Sequence, residues 1–421
     1  MRIQRRKLLT AGGTLIAIAA PLPWLLNRSA RAGAHDGAPG LVPDPDELCD
    51  LPRGFSYRVL DRAGDTMSDG HRVPARPDGM ACFADKDGRW VLLRNHELDR
   101  GRGSFSGPVP KEAYDPRAAG GVTRMVLDPK TLRRVSSNFV LAGTLRNCAG
   151  GPSPWGWLSC EESVAAGHGY VFRCPVNAER LLPPQKIAGY GRFFHEAVCV
   201  DPATHFAYLT EDRADGCLYR FVPAAFERPF EGRLQALRVL REREFETSAL
   251  APGQRREVEW IDVPDPDPKE DSVRLQAREL GAALVRRGEG MWFHDGAVYA
   301  CATSGGRHHN GQILRLQLGG KGGRDTLEVV AESTDTALLD MPDNITVAPW
   351  GDLYMAEDGP GAQYVRGLTP KGRVFDVARN AASGGEYAGV CFSPDGSTLF
   401  FNQQQEGVTL AVRGPFRSLA A

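Results

Sequence analysis

Six stretches of this chain share one pattern: a short apolar strand, a tight turn, and a second strand that ends in polar or acidic residues. They are CFADKDGRWVLLRNHE (82–97), GGPSPWGWLSCEE (150–162), AVCVDPATHFAYLTED (197–212), MWFHDGAVYACATS (291–304), ITVAPWGDLYMAED (345–358) and GVCFSPDGSTLFFNQ (389–403). Alternating side chains and Asp-Gly, Asp-Pro or Trp-Gly turns make each a β-hairpin. Six similar units that must stack to bury their apolar faces predict an all-β fold, a six-bladed β-propeller closed into a ring with inserted loops and short helices. The 48 glycines and 30 prolines suit such a chain of strands and turns. Spacing between the units is uneven, and the gap at 221–287 predicts a surface insertion, charged and partly helical, then Pro-rich through DVPDPDPKED.

If equivalent strands run the same way, then RNHE, CEE, TED, ATS, AED and NQ emerge at one end of the central channel. Carboxylates brought together there repel one another, so the cluster either binds cations or splays into solvent. The stretch NCAGGPSPWGWLSCEES adds a thiol, Cys148, beside Glu161 and Glu162. Thiolates select zinc, iron or copper, and carboxylates suit calcium, magnesium or manganese, so the mixture points to more than one kind of ion. Read blandly, it is a buried cysteine packing beside a solvated acidic pair. Three further strings lie near polar strand ends: GRFFHEAV (191–198), RRGEGMW (286–292) and MPDN (341–344). His96 and His195 each precede a glutamate, as ligands or as hydrogen-bonded core histidines. Glu289 is flanked by Gly288 and Gly290, which allow backbone to approach an ion. Arg287 beside it can fork onto an oxyanion or pair with an acid.

Other function classes are poorly supported. Net charge is −1 with no basic run, which argues against nucleic acid as a partner. There is no GxSxG elbow, HExxH, Walker loop or dinucleotide glycine fingerprint. Arg5-Arg6-Lys7-Leu8-Leu9 leads an apolar run to Leu26, and Ala30-Arg31-Ala32 offers a cleavage site, so residues 1–32 read as a twin-arginine export signal. Gly12, Gly13, Pro21 and Pro23 break the run and argue against a membrane anchor. The expected mature protein, residues 33–421, is a single domain without a membrane span, monomeric, periplasmic or secreted, and dependent on the twin-arginine machinery. Nine cysteines in an oxidising compartment, none in a CxxC pair, leave at least one free or metal-bound.

In order, RNHE, NCAGG with PWGWLSCEE, RFFHEAVCVDP with YLTEDR, EGMWF with TSGG, PDNITVAPWGDLYMAEDG and EYAGVCFSPDG resemble the PhoX-type alkaline phosphatases of bacteria, across nearly all of the mature chain. The resemblance implies a six-bladed propeller, twin-arginine export, and an iron and calcium site that hydrolyses phosphate monoesters. It implies iron-side ligands at Cys148 and Glu162, further metal carboxylates at Glu196, Glu289 and Asp343, and a phosphate clamp at Arg287. Glu97, Glu211 and Glu357 match motifs of the family without a defined role. Gly156 and Trp157 are adjacent where the family pattern usually has a residue between them, so a register change would make Glu161 the ligand in place of Glu162. The activity expected is metal-assisted phosphoryl transfer to water. The alternatives are a calcium-dependent propeller lactonase or other hydrolase, which needs no thiolate, and a non-catalytic calcium-stabilised binding propeller.

Overall fold

The computed structural model describes residues 40–320 and 322–419; the export signal expected over 1–32 lies outside the described residues. Every expected hairpin forms. The first strands are Pro77–Ala84, Asn147–Ser153, His195–Val200, Gly288–His294, Pro342–Val347 and Tyr387–Phe392. Their partners are Trp90–His96, Gly156–Glu161, Ala207–Glu211, Ala297–Ala302, Leu353–Glu357 and Thr398–Gln403. Two more antiparallel strands follow each hairpin in its sheet, so each unit is an up-and-down meander. The first strands pack against one another in chain order, and Tyr387–Phe392 packs back against Pro77–Ala84. The result is an all-β, propeller-like arrangement of sheets around a common axis.

Hydrogen bonding divides the strands into five sheets, three of four strands, one of six and one of nine. The nine-stranded sheet arises because Arg255–Asp262 pairs with both Arg228–Val239 and Thr326–Glu332, fusing two meanders. The regular structure of the 221–287 segment is therefore chiefly strand, and its α-helix is confined to Val273–Glu279. RLQALRV and RREVEWID alternate with period two, and that pattern overrides their charged composition. The ring is closed by the chain's own ends: Ser56–Arg62 is the outer partner of Val408–Arg413. Buried Arg94 clamps this seam, its Nη1 lying 2.6 Å from Asp61 Oδ1 on the closing strand. Breaking one partner of such a buried pair strands a charge. No helix among the described residues is long and apolar enough to cross a membrane.

Candidate metal centre

The six first strands begin alike. In five, pairing register shifts directly after the first residue, between Pro77 and Met80, Asn147 and Gly150, His195 and Val198, Gly288 and Met291, and Pro342 and Ile345, and in the sixth one residue later, between Ala388 and Cys391. Such bulges re-aim side chains. The second residue of each strand is Asp78, Cys148, Glu196, Glu289, Asp343 or Ala388, so every one but the last supplies a candidate metal donor. The third residues are Gly or Ala in every strand but one, which has Asn344. A Cβ on Gly79 would lie 2.5 Å from Ala149 Cα, and one on Gly290 would lie 2.6 Å from the Asp343 carbonyl oxygen. Bare backbone at these places lets adjacent strands approach closely enough for their donors to converge. Beyond them the axis narrows to a cavity of about 20 Å³ lined by Met80, Met291 and Trp292 among others.

Glu196, Glu289 and Asp343 are buried and offer oxygens that all lie within 4.8 Å of one another. The Cys148 thiol faces Asp78 Oδ2 at 3.9 Å. Asn95 holds the backbone of this turn, its amide donating to the carbonyls of Cys148 and Ala149 at 3.1 and 2.6 Å. Burial pushes Asp78, Glu196 and Glu289 well above the ordinary carboxylate range, and neighbouring acids push in the same direction. Asp343 is pushed up to about 7 by burial and then by Asp358. Burial, followed by Asp78 and Glu196, raises the Cys148 thiol as well.

The second strands end at the same level, and there the choice between neighbouring acids is made by register. Their last residues, His96, Glu161, Glu211, Ala302, Glu357 and Gln403, pair with the first residues of the first strands. In this position acids tie down the fold. Glu161 accepts from the Leu145 and Gly169 amides at 2.9 Å each and lies 2.7 Å from His168 Nδ1. Glu211 accepts from the Tyr219 hydroxyl at 2.7 Å, and Glu357 accepts from the Asp340 amide and Arg366 Nε at 2.8 and 3.0 Å. Glu211 and Glu357 are thus each held by partners within the fold, although Glu211 Oε1 is buried with no hydrogen-bond partner among the described residues. The next residue in each case, Asp212 or Asp358, comes to the mouth instead. Asp212 receives Arg287, and Asp358 raises Asp343 and Glu386.

Glu97 and Glu162 already occupy that next position and do reach the mouth. Arg146 Nη2 lies 2.6 Å from Glu162 and 3.2 Å from Glu97, and Arg76 Nη2 lies 3.0 Å from Glu97. Burial, opposed by Arg146 and reinforced by Asp212 and Glu97, moves Glu162 up to about 8. The shortened Gly156-Trp157 hairpin leaves this end undisturbed: Ser153 pairs with Gly156 at the turn, while Asn147 still pairs with Glu161 as Pro77 pairs with His96. Glu162, and not Glu161, thus faces the site. Both histidines are core residues. His96 bonds Thr123 and the Ala75 carbonyl, and His195, pulled down to about 3 by burial, bonds the Gly191 carbonyl.

Arg287 immediately precedes the strand bearing Glu289, with φ of 46°. It forks onto Asp212 at 2.9 and 3.2 Å and reaches Glu289 Oε1 at 2.6 Å. Burial works against its charge, but Glu289 and Asp212 outweigh that, and the guanidinium is held more firmly protonated than usual. Sequence reasoning missed Arg76, Asp78, Arg146, Asp212, Asp358 and Glu386 at this mouth. The signal for Arg76, Asp78, Arg146 and Glu386 was present in the parallel strings RPDG, RNCA, FHEA, RGEG, MPDN and EYAG, which begin one residue before each first strand, while Asp212 and Asp358 end the strings TED and AED.

The sequence profile described as Alkaline phosphatase PhoX matches residues 37–138 and 128–407. The chain belongs to this family. Among solved structures it is similar to Pseudomonas fluorescens PhoX in complex with vanadate, with 16% identity, 90% of this chain and 98% of that chain covered, and a TM-score of 0.70. A gluconolactonase from Xanthomonas campestris, XC5397, is a more distant likeness at 13% identity, 90% and 99% coverage, and a TM-score of 0.47. No curated protein sequence matches the chain. As a member of the PhoX family the protein is a phosphatase, and the family is metal-dependent.

The residues present fit that dependence. Among the described residues neither buried oxygen of Glu196 has a hydrogen-bonding neighbour beyond the weak Cys148 thiol donor, which is costly for a carboxylate unless something outside the chain satisfies it. A soft thiol beside hard oxygens suits a site taking two kinds of cation. Without cations, these acids are held protonated by the fold, so folding takes up protons. Their penalty grows as pH rises from the usual carboxylate range through about 7 and 8, the values of Asp343 and Glu162. Chelator-treated protein is accordingly expected to melt at a lower temperature at about pH 8.5 than at about pH 5.5, with added calcium raising Tm most at the higher pH. Thermal melts across pH with and without chelator check this, and equal Tm values at both would contradict it.

Proposed function

We propose that this PhoX-family phosphatase hydrolyses phosphate monoesters at alkaline pH with iron and calcium at the channel mouth. We assign it a six-bladed propeller over 33–421, exported through a twin-arginine signal at 1–32. One observation carries the reading: Asp78, Cys148, Glu196, Glu289 and Asp343 occupy the same second position of successive first strands, with the buried oxygens of Glu196, Glu289 and Asp343 converging and the half-buried Cys148 thiol facing buried Asp78. The description of Pseudomonas fluorescens PhoX as bound to vanadate, a transition state analogue, supports phosphoryl chemistry for a chain of this fold.

Cys148 and Glu162 would hold the iron side. Glu196, Glu289, Asp343 and Asp78 would supply further carboxylates, with Glu97 at the rim. Bound there, such cations neutralise phosphoryl oxygens and acidify water. The chain supplies orientation. Arg287 would offer its Nη1 donors to the phosphoryl group, while Asp212, holding Nε and Nη2, fixes the plane of the guanidinium from behind. The Asn95 amide fixes the turn bearing Cys148, and the nearly filled axis leaves little room for water beneath the donors.

The test uses the full chain expressed with residues 1–32 and recovered from the periplasm. Metal-replete protein should hydrolyse an aryl phosphate best at alkaline pH, contain iron and calcium, and lose activity to a calcium chelator. A variant with Lys at positions 5 and 6 should stay in the cytoplasm. Metal-loaded protein without phosphatase activity would overturn the proposed reaction, and normal export of the variant would overturn the twin-arginine assignment.

A further inference from the structure

Arg287 is one of three arginines in the same structural position. Arg76, Arg146 and Arg287 each stand immediately before a first strand, with φ of 49°, 46° and 46°. Met341, before a fourth first strand, has the same left-handed backbone with φ of 47°, so the conformation belongs to the strand start, and three of the four residues that adopt it there are arginines. It turns each side chain over the channel end, where Arg76 and Arg146 share Glu97 between them.

The three differ in depth. Arg287 side-chain exposure is 30%, against 43% for Arg76 and 41% for Arg146. Arg287 touches Glu289 of the innermost carboxylates, Arg76 touches the rim acid Glu97, and Arg146 bridges Glu97 and the iron-side Glu162. A phosphoryl group seated at the donors would meet Arg287, and its leaving group would project outward, to the level of the other two. With Pseudo-equivalent strands packed in cyclic order, Arg76 and Arg146 come from adjacent strands while Arg287 comes from farther round the ring.

We propose that Arg76 and Arg146 form a specificity subsite for the leaving group, selecting phosphate monoesters whose alcohol or phenol carries a second anionic group. The proposal rests on the phosphatase reading above. Both guanidiniums are anchored by Glu97, stay about two-fifths exposed, and make their ion pairs through Nη2 alone of the three nitrogens that carry their five donors. A carboxylate on the leaving group would take a charge-assisted bond from either.

The experiment compares phenyl phosphate with 4-carboxyphenyl phosphate on metal-loaded wild type, Arg146→Gln, Arg146→Lys and Arg76→Gln, with metal content measured in each. The ratio of kcat/KM, carboxylated over neutral substrate, should fall about tenfold in each Gln variant, the worth of one charge-assisted bond. The loss should appear in KM, and Arg146→Lys should recover part of the ratio. Arg287→Lys should slow both substrates alike. An unchanged ratio in both Gln variants with normal metals would overturn the subsite while leaving the phosphatase reading intact. So would loss of metal from Arg146→Gln, which would make Arg146 a counter-ion of the centre. Wild type inactive on both substrates would instead overturn the reading on which the subsite rests.

Discussion

Glu196→Gln is expected to yield a folded protein depleted of metal, with turnover down by at least about 10³-fold, since cation stabilisation of a phosphoryl transition state is worth several kcal/mol. The substitution keeps shape and removes only charge. Glu196 sits among Glu289, Asp343 and the Cys148 thiol, and among the described residues its two buried oxygens have no hydrogen-bonding neighbour beyond that weak thiol donor. In metal-free protein that charge is a liability, so the variant should melt higher than wild type in chelator at alkaline pH, where the unmodified acids must ionise. Opposite signs for function and apo stability are the signature of a site strained for its ligand. Glu211→Gln supplies the contrast. It weakens the partner of Tyr219 and Arg274, so Tm should fall while metal content and kcat stay near wild type. Metal analysis, melts and steady-state kinetics on both variants decide the matter, and a Glu196→Gln protein retaining metals and turnover would remove the donor cluster from the mechanism.

The hairpins were legible because period-two alternation and Asp-Gly or Asp-Pro turns are local signals, encoded within a few residues of where they act. Cys148 and Glu289 stood out for a related reason, since each lies beside small or turn-forming residues that mark a close backbone approach, whereas Glu196 and Asp343 followed from the resemblance to the family. The acid pairs were harder. In TED and AED both residues can bind a cation, and only the pairing of His195 with Glu211 and of Pro342 with Glu357 shows which turns inward. Register is a property of two strands, and one strand's sequence does not carry it. Asp78 escaped because the repeat had been aligned on its turns, which left RPDG outside the first unit. The bulges that aim the second residue of every first strand have no sequence signature of their own. Arg76 and Arg146 take their meaning from a backbone conformation that arginine adopts rarely, so nothing in their composition announces it.

Arg287→Lys is expected to retain its metals and lose about 10²-fold in kcat, the usual consequence of removing one preorganised donor to a transition state. The lysine keeps the charge. It cannot keep the two parallel bonds to Asp212, at 2.9 and 3.2 Å, that set the plane of the guanidinium over the mouth. Because Arg287 Nη2 also lies 2.6 Å from Glu289, the charge itself matters to the donor cluster, and Arg287→Gln should weaken calcium retention where Arg287→Lys does not. Asp212→Asn then separates orientation from charge: it leaves the guanidinium in place but loosens its anchor, so kcat should fall by less than in Arg287→Lys, with KM little changed. A merely structural role for the pair predicts a lowered Tm and proportionate loss of metal in all three variants. Kinetics, metal content and melts measured together distinguish these patterns, and Arg287→Lys with wild-type kcat would end the assignment of Arg287 to the phosphoryl group.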